Sequence, residues 1–413
     1  MEQPSILASV FRKKMAETKD YSMTSEATEV TLYPTQFLNV DFLNGFKTQE
    51  MNPQTGTNDE YYAIGIPDGS YITFIANANT GKTTFVCQLA ANIVRRFKTS
   101  TIFEDSIEAG LTPERRRALS RFSKEEYKTR YIIRDSGVTA ENIYQRIKAI
   151  HDIKTGDKET YLYDTGHKDM YGDPIVKMEP TVYIIDSLAM LMPEKYVESD
   201  EMAGKSMGAA SALVISNVFK SLFPMLKEAN IILIGINHIL EDVNMSMMPK
   251  KTSLPGLKQG ERVPKGRTAT YLAGTMFRMD YMGKLKPDET YHVEGSMVDI
   301  SLIKSRTSGK KVSTRLIYDF SNGFDPWLSL LRYMQDRKLL FGGGGSLYFE
   351  KKKKYRFSYG NFREQILSNK EFRDAFINVV VSYLKQDVEQ RDRTVDDLHL
   401  DDLMNSEAIT SIL

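Results

Sequence analysis

The residues best equipped for chemistry are Gly81-Lys82-Thr83-Thr84 and the small polar turn before them. An apolar run, Tyr71–Ile75, enters the turn Ala76-Asn77-Ala78-Asn79-Thr80, and a helix-like segment, Phe85–Phe97, leaves it. Strand, turn and helix in that order predict a phosphate-binding P-loop. A helix N-terminus offers unpaired N–H groups and a partial positive charge to phosphate oxygens. Asn77, Ala78, Asn79, Thr80, Gly81 and Thr84 would form the cradle, with Lys82 reaching the outer phosphates. The Thr83 hydroxyl suits Mg2+. One position departs from G-x-x-x-x-G-K-T: the first glycine is Ala76. Alanine is comfortable there only with a negative φ.

Four further groups stand at the ends of apolar runs. Asp186 closes Val182-Tyr-Ile-Ile-Asp and would help to hold the magnesium ion. Glu104, Asp105 and Glu108 follow the short run Thr101–Phe103, and each is placed to polarise a water for in-line attack. Asn237 and His238 end Ile234-Gly-Ile, where a polar group could sense a terminal phosphate. Lys304 and Arg306, two residues apart and so on one face of a strand, suit an anion. The alternatives are a solvated acidic loop, a structural histidine and a surface charge pair.

These residues need a scaffold. Tyr71–Ile75, Thr181–Ile185 and Ile231–Ile236 read as strands, and Phe85–Arg96, Ala140–Ile153 and Ala209–Glu228 read as helices. Alternation of the two predicts a mostly parallel sheet wrapped on both faces. A polar insert, Lys154–Pro180, is expected to be a surface loop or hairpin. Met192–Met207 and Leu240–Gly266 read as long irregular stretches, a length usual for functional loops. After residue 290 come strands Met297–Lys304 and Val312–Asp319 and a helix Pro326–Arg337. Gly342–Gly345 reads as a linker or a hairpin turn, and Leu347–Leu384 as a small terminal module. At the other end, residues 4–16 read as a short amphipathic helix followed by a polar stretch to Glu29.

Composition bounds the class. The 413 residues, 41% hydrophobic, allow one large or two ordinary domains with a substantial core. No apolar run approaches the roughly 18–20 residues of a membrane span, and no signal-peptide core is seen. A single cysteine, Cys87, excludes an intrachain disulfide and suits a reducing, intracellular setting. The formal charge of +1 conceals an asymmetry: eight acids and two arginines from Gln386 onward give −6, leaving +7 for residues 1–385. A basic body with an acidic tail suits a polyanionic partner.

Taken together, these segments resemble the RecA-type strand-exchange recombinases, in particular those of T-even phages, across most of residues 30–385. Glu108-Ala-Gly-Leu-Thr-Pro113 is similar to the family's catalytic-glutamate segment, which singles out Glu108. Ile184-Ile-Asp-Ser-Leu resembles its Walker B strand. His238 falls where the family links the γ-phosphate to DNA binding. Lys304-Ser-Arg306-Thr is similar to the strand whose cations reach the next subunit's ATP. Phe320-Ser-Asn-Gly-Phe-Asp-Pro326 resembles the exit from the core, and Gly345–Leu384 the C-terminal module. Residues 192–207 and 244–266 fall where the family has its DNA-binding loops, so DNA contacts are expected from Lys205, Met207, Gly208, Lys220, Lys265, Gly266 and Arg267. Departures are Ala76, an extra residue at Ile107, Lys265 in place of a loop glycine, the long insert, and Arg115 where an aromatic ring commonly stacks on adenine.

The resemblance implies an α/β fold: a RecA-like P-loop ATPase core over residues 36–337 with a mostly parallel twisted sheet. A short N-terminal helical arm for oligomerisation (1–35), a small α+β C-terminal module (338–385) and an acidic tail (386–413) complete it. The implied activity is DNA-dependent ATP hydrolysis with Mg2+, by a helical filament on single-stranded DNA that pairs it with duplex DNA. Lys82, Glu108, His238, Lys304 and Arg306 would be catalytic. Single-strand-binding and mediator proteins are the implied partners, at DNA inside the cell and with no membrane. A ring-forming replicative helicase and a non-catalytic mediator paralogue are the competing readings.

Overall fold

Continuous β-branched runs such as Thr181–Asp186 and Ile231–His238 have no polar face, so they must be covered on both sides. The computed structural model describes residues 30–52, 54–108, 110–169, 172–197, 205–241, 256–264, 272–307, 312–343, 345–349 and 354–391. Nine strands form one large sheet: β1 (Tyr71–Ala76), β2 (Ile102–Ser106), β3 (Tyr131–Arg134), β4 (Thr181–Asp186), β5 (Ile231–His238), β6 (Thr275–Leu285), β7 (Gly295–Lys304), β8 (Val312–Asp319) and β9 (Gly323–Asp325). Their order is β9-β8-β7-β6-β1-β5-β4-β2-β3. From β6 to β3 every neighbouring pair is parallel; β6 to β9 is an antiparallel extension. The chain is thus mixed α/β with a large, mostly parallel sheet.

The pleat sorts side chains to the two faces. Ile72, Phe74, Ile184, Ile232 and Ile234 enter one apolar cluster, which α1 (Lys82–Val94) covers with Phe85, Leu89 and Ile93. Tyr71, Ile75, Tyr183, Ile185, Ile231 and Leu233 enter the other, under α3 (Ala140–Gly156) and α4 (Lys205–Glu228). Between these helices in sequence, α2 (Pro113–Ser120) is capped by the Thr112 hydroxyl and packs beside α1.

A third cluster joins α5 (Pro326–Asp336), α6 (Phe362–Ser368) and α7 (Lys370–Arg391) to a three-stranded sheet. The Gly342–Gly345 region is a hairpin turn there, because Phe341–Gly343 pairs with Ser346–Tyr348. The insert 154–180 opens with the end of α3 and a helical turn, Lys158–Tyr161, and then forms a hairpin, Leu162–Lys168 with Pro174–Met178, which meets a second hairpin, Phe46–Asn52 with Thr57–Ala63. The rings of His167 and Tyr61 stack where they meet, 4.1 Å apart. At the last residue of α7, the buried Arg391 guanidinium donates to the carbonyls of Phe42, Leu43 and Gly45.

Several elements differ from the sequence reading. The strand β6 was not expected, since buried Arg278 interrupts its apolar pattern. The helix α4 begins at Lys205, so the stretch read as irregular to Met207 ends earlier, and a helical turn, Glu194–Val197, sits inside it. Likewise α7 runs through Arg391, past the expected start of the acidic tail at Gln386. The expected arm helix 4–16, most of the loop 244–266 and the tail beyond Arg391 lie outside the described residues. Among the described residues no helix is long and apolar enough to cross a membrane.

Candidate functional site

Parallel strands bring their C-terminal ends to one edge of the sheet, and β1, β5, β4 and β2 are neighbours. The loop from β1 to α1 turns through two left-handed residues, Asn79 (φ 60°) and Gly81 (φ 88°). A Cβ on Gly81 would lie 3.0 Å from the Tyr318 ring and 3.1 Å from Phe324. The Thr80 hydroxyl donates to the Asn77 carbonyl (2.8 Å), closing the turn. Asn77, Ala78 and Asn79 are exposed at its tip. Ala76 is not among the residues of positive φ, which is the condition its alanine required. The Thr84 hydroxyl lies 3.4 Å from Tyr318 Oη.

Lys82 is buried, and its Nζ donates to the carbonyls of Ala76 (3.2 Å) and Asn77 (2.9 Å). Burial pulls its ammonium down to about 8, against the opposing pull of Asp186 and Glu108. The Thr83 hydroxyl donates to Asp186 Oδ2 at 2.7 Å. Asp186 is 1% exposed, and burial pushes its carboxyl up to about 6. Its other oxygen, Oδ1, is buried with no hydrogen-bond partner. The following Asp186–Ser187 peptide is cis.

Of the three acids near β2, the structure brings only Glu108 to this edge. Its N–H donates to the Asp186 carbonyl (3.1 Å). Its carboxylate accepts from the Ser187 hydroxyl (3.0 Å) and faces His238 Nε2, at 2.8 and 3.1 Å from the two oxygens. Glu104 instead points inward to Arg116 and to the Tyr131 hydroxyl (2.6 Å). Asp105 is buried against Arg146 and Tyr183. Asn237 is buried, and its amide donates to the Pro264 carbonyl (3.3 Å). That contact ties the end of β5 to the described part of the 244–266 loop.

Arg115 lies beside the site but is committed. Its guanidinium donates to the carbonyls of Phe320 (2.9 Å) and Ser321. Lys304 and Arg306 are elsewhere. Lys304 on β7 is level with Met276 on β6, which is level with Thr73 on β1, three residues before Ala76. At about 3.3 Å per residue this sets Lys304 on the order of 10 Å back from the loop end of the sheet, towards its opposite edge. Burial and the neighbouring Arg306 charge lower the Lys304 ammonium.

Lys205, Met207 and Gly208 lie in the first turn of α4, whose N-terminal end is on the same side as the strand ends because α4 leads back into β5. Lys220 is exposed farther along it. Lys265, Gly266 and Arg267 lie outside the described residues. Ser187, Ser106, Arg116 and Tyr318 belong to the site or its support, and nothing in their sequence spacing marks them.

The residues present fit a magnesium ion bound with phosphate. Mg2+ is held by few protein ligands and keeps waters and phosphate oxygens around it. Thr83 and Asp186 supply such a minimal set, with Asp186 Oδ1 unengaged. Among the described residues no group of three or more His, Cys, Asp or Glu side chains forms a fuller metal cage. The fold and site thus define a mixed α/β protein with a polar cluster at the C-terminal ends of its central parallel strands. No protein-family model matches this chain, and no curated protein matches it either.

Proposed function

We propose that this chain is a DNA-dependent ATPase of the RecA-type strand-exchange class, acting as a filament on single-stranded DNA. The observation that carries the reading is the convergence of Lys82, Thr83, Asp186, Glu108 and His238 at the ends of adjacent parallel strands, where open α/β sheets bind ligands. The loop N–H groups at the start of α1 and the Lys82 ammonium bind phosphate oxygens. Thr83 and Asp186 hold Mg2+, which when bound neutralises phosphate charge. Glu108 orients a water and takes its proton, and Ser187 and His238 fix the carboxylate for that task. His238 sits one residue from Asn237, and Asn237 holds Pro264, so a change at the phosphate end has a short path to the loop expected to touch DNA.

Lys304 and Arg306 lie too far back along the sheet to belong to the same copy's site. Their placement supports a role at the nucleotide of a neighbouring copy, as in a head-to-tail filament. The deciding experiment is ATP hydrolysis with and without single-stranded DNA. Strong stimulation, lost in Glu108→Gln, is expected. Nucleotide binding with no stimulated hydrolysis would favour a non-catalytic mediator.

A further inference from the structure

We infer that Arg116 is the positioning residue for Glu108, an inference that rests on the hydrolytic reading above. Glu108 stands on the segment between β2 and α2, and one buried guanidinium reaches both Ser106 before it and Leu111 after it. Arg116 Nε lies 3.1 Å from each oxygen of Glu104, and Nη2 lies 2.6 Å from Oε1. Nη2 also donates to the Ser106 hydroxyl at 3.1 Å, and that hydroxyl donates to the backbone carbonyl of Glu108 at 3.0 Å. Nη1 donates to the Leu111 carbonyl at the far end of the segment. Glu104 is in turn fixed by the Tyr131 hydroxyl on β3.

The guanidinium is a planar fork with five donors in fixed directions. Anchored on Glu104, it therefore sets the start of the segment through Ser106 and its end through Leu111. Among the described residues, Ser187 and His238 hold the Glu108 carboxylate from the front. From behind, its backbone is held by Ser106 and Arg116. Arg116 touches no reacting atom; it acts through the segment. An ion pair serving only to seat α2 on the sheet would not need the Ser106 relay, and that difference is testable.

The test uses the full chain with Ser106→Ala, which leaves the Arg116–Glu104 pair in place and cuts the relay, and with Arg116→Lys, which keeps the charge but not the fork. DNA-stimulated turnover, ATP affinity and the ring 15N signal of His238 without nucleotide are measured for each. The expected result is turnover lowered on the order of 10-fold with ATP affinity changed less than about twofold, together with a displaced His238 signal. Wild-type turnover with an unmoved His238 signal, or turnover and affinity falling equally, would overturn the inference. If Arg116→Lys fails to fold, Ser106→Ala decides alone. If the wild-type chain hydrolyses no ATP, the hydrolytic reading fails, and the His238 signal still decides whether Arg116 places Glu108.

Discussion

Glu108 and His238 face each other 2.8 Å apart across the end of β4, one just beyond β2 and the other closing β5. The pair joins the expected water-activating group to a strand whose next contact, through Asn237, is the 256–264 segment. Glu108→Gln should abolish hydrolysis while keeping ATP affinity within a few-fold. His238→Ala should leave basal hydrolysis measurable but remove most of its stimulation by single-stranded DNA. Steady-state rates with and without DNA check both, and a fully stimulated His238→Ala would break the proposed link.

The buried Asp186 carboxyl gives a pH-dependent prediction. Its folded-state value, about 6, is above the ordinary 3.8, so the folded chain binds this proton more readily than the unfolded chain does. Stability from this group is present below pH 4 and lost as pH rises through 6. Asp186→Asn should therefore stabilise the metal-free protein at pH 7–8, by roughly 3 kcal/mol at most, and by an amount that no longer changes below pH 4. Denaturant unfolding between pH 4 and 8 without Mg2+ measures it. Magnesium binding should weaken in the opposite sense, as pH falls through 6.

Gly81 should not tolerate a side chain. A left-handed φ costs a non-glycine residue about 1–2 kcal/mol, and the added Cβ would press on the Tyr318 and Phe324 rings. Gly81→Ala should lower the unfolding midpoint and weaken ATP binding more than tenfold, read by calorimetry and nucleotide titration. Undiminished affinity would mean that the loop can rebuild around alanine.

If Lys304 serves a neighbour's site, two inactive variants should rescue each other. Mixing Lys82→Ala with Lys304→Ala in equal amounts should restore roughly a quarter of wild-type hydrolysis, because one head-to-tail junction in four pairs an intact Lys82 with an intact Lys304. No recovery in a mixture that still assembles would place Lys304 outside the neighbour's site.

Arg278 is 3% exposed and holds Glu261 (2.5 and 2.9 Å) and Asp280 (2.6 and 2.7 Å). Removing its charge strands two carboxylates, so Arg278→Met should destabilise the chain by about 3 kcal/mol. It should also free the 256–264 segment, seen as faster amide exchange there than in β1.

Much of this was readable in the residues. Tyr71–Ala76, Thr181–Asp186 and Ile231–His238 are continuous apolar runs, and such runs leave little choice but buried parallel strands. The start of α1 at Lys82, three residues before the expected Phe85, follows from the left-handed cap at Gly81. β6 was missed because a buried arginine breaks its apolar run, and of that arginine's partners only Asp280 is near in sequence, whereas Glu261 and the Gly256 carbonyl come from 17 and 22 residues away. The meeting of Glu108 and His238, 130 residues apart, likewise depends on sheet order. Local spacing left Glu104, Asp105 and Glu108 equal; what separates them is the burial of the first two behind Arg116 and Arg146.

The grip of Arg391 on Phe42, Leu43 and Gly45 makes the final turn of α7 a seam that sews two segments nearly 350 residues apart. Tyr333 and Arg337 on and beside α5 fasten the same turn through Asp387, and Tyr62 through Glu389. Two of the eight acids counted towards the charged tail, Asp387 and Glu389, are therefore stitches in this seam. A stop codon at 386 would unpick it, whereas one at 392 would leave Asp387, Glu389 and Arg391 in place, so the two truncations are different experiments.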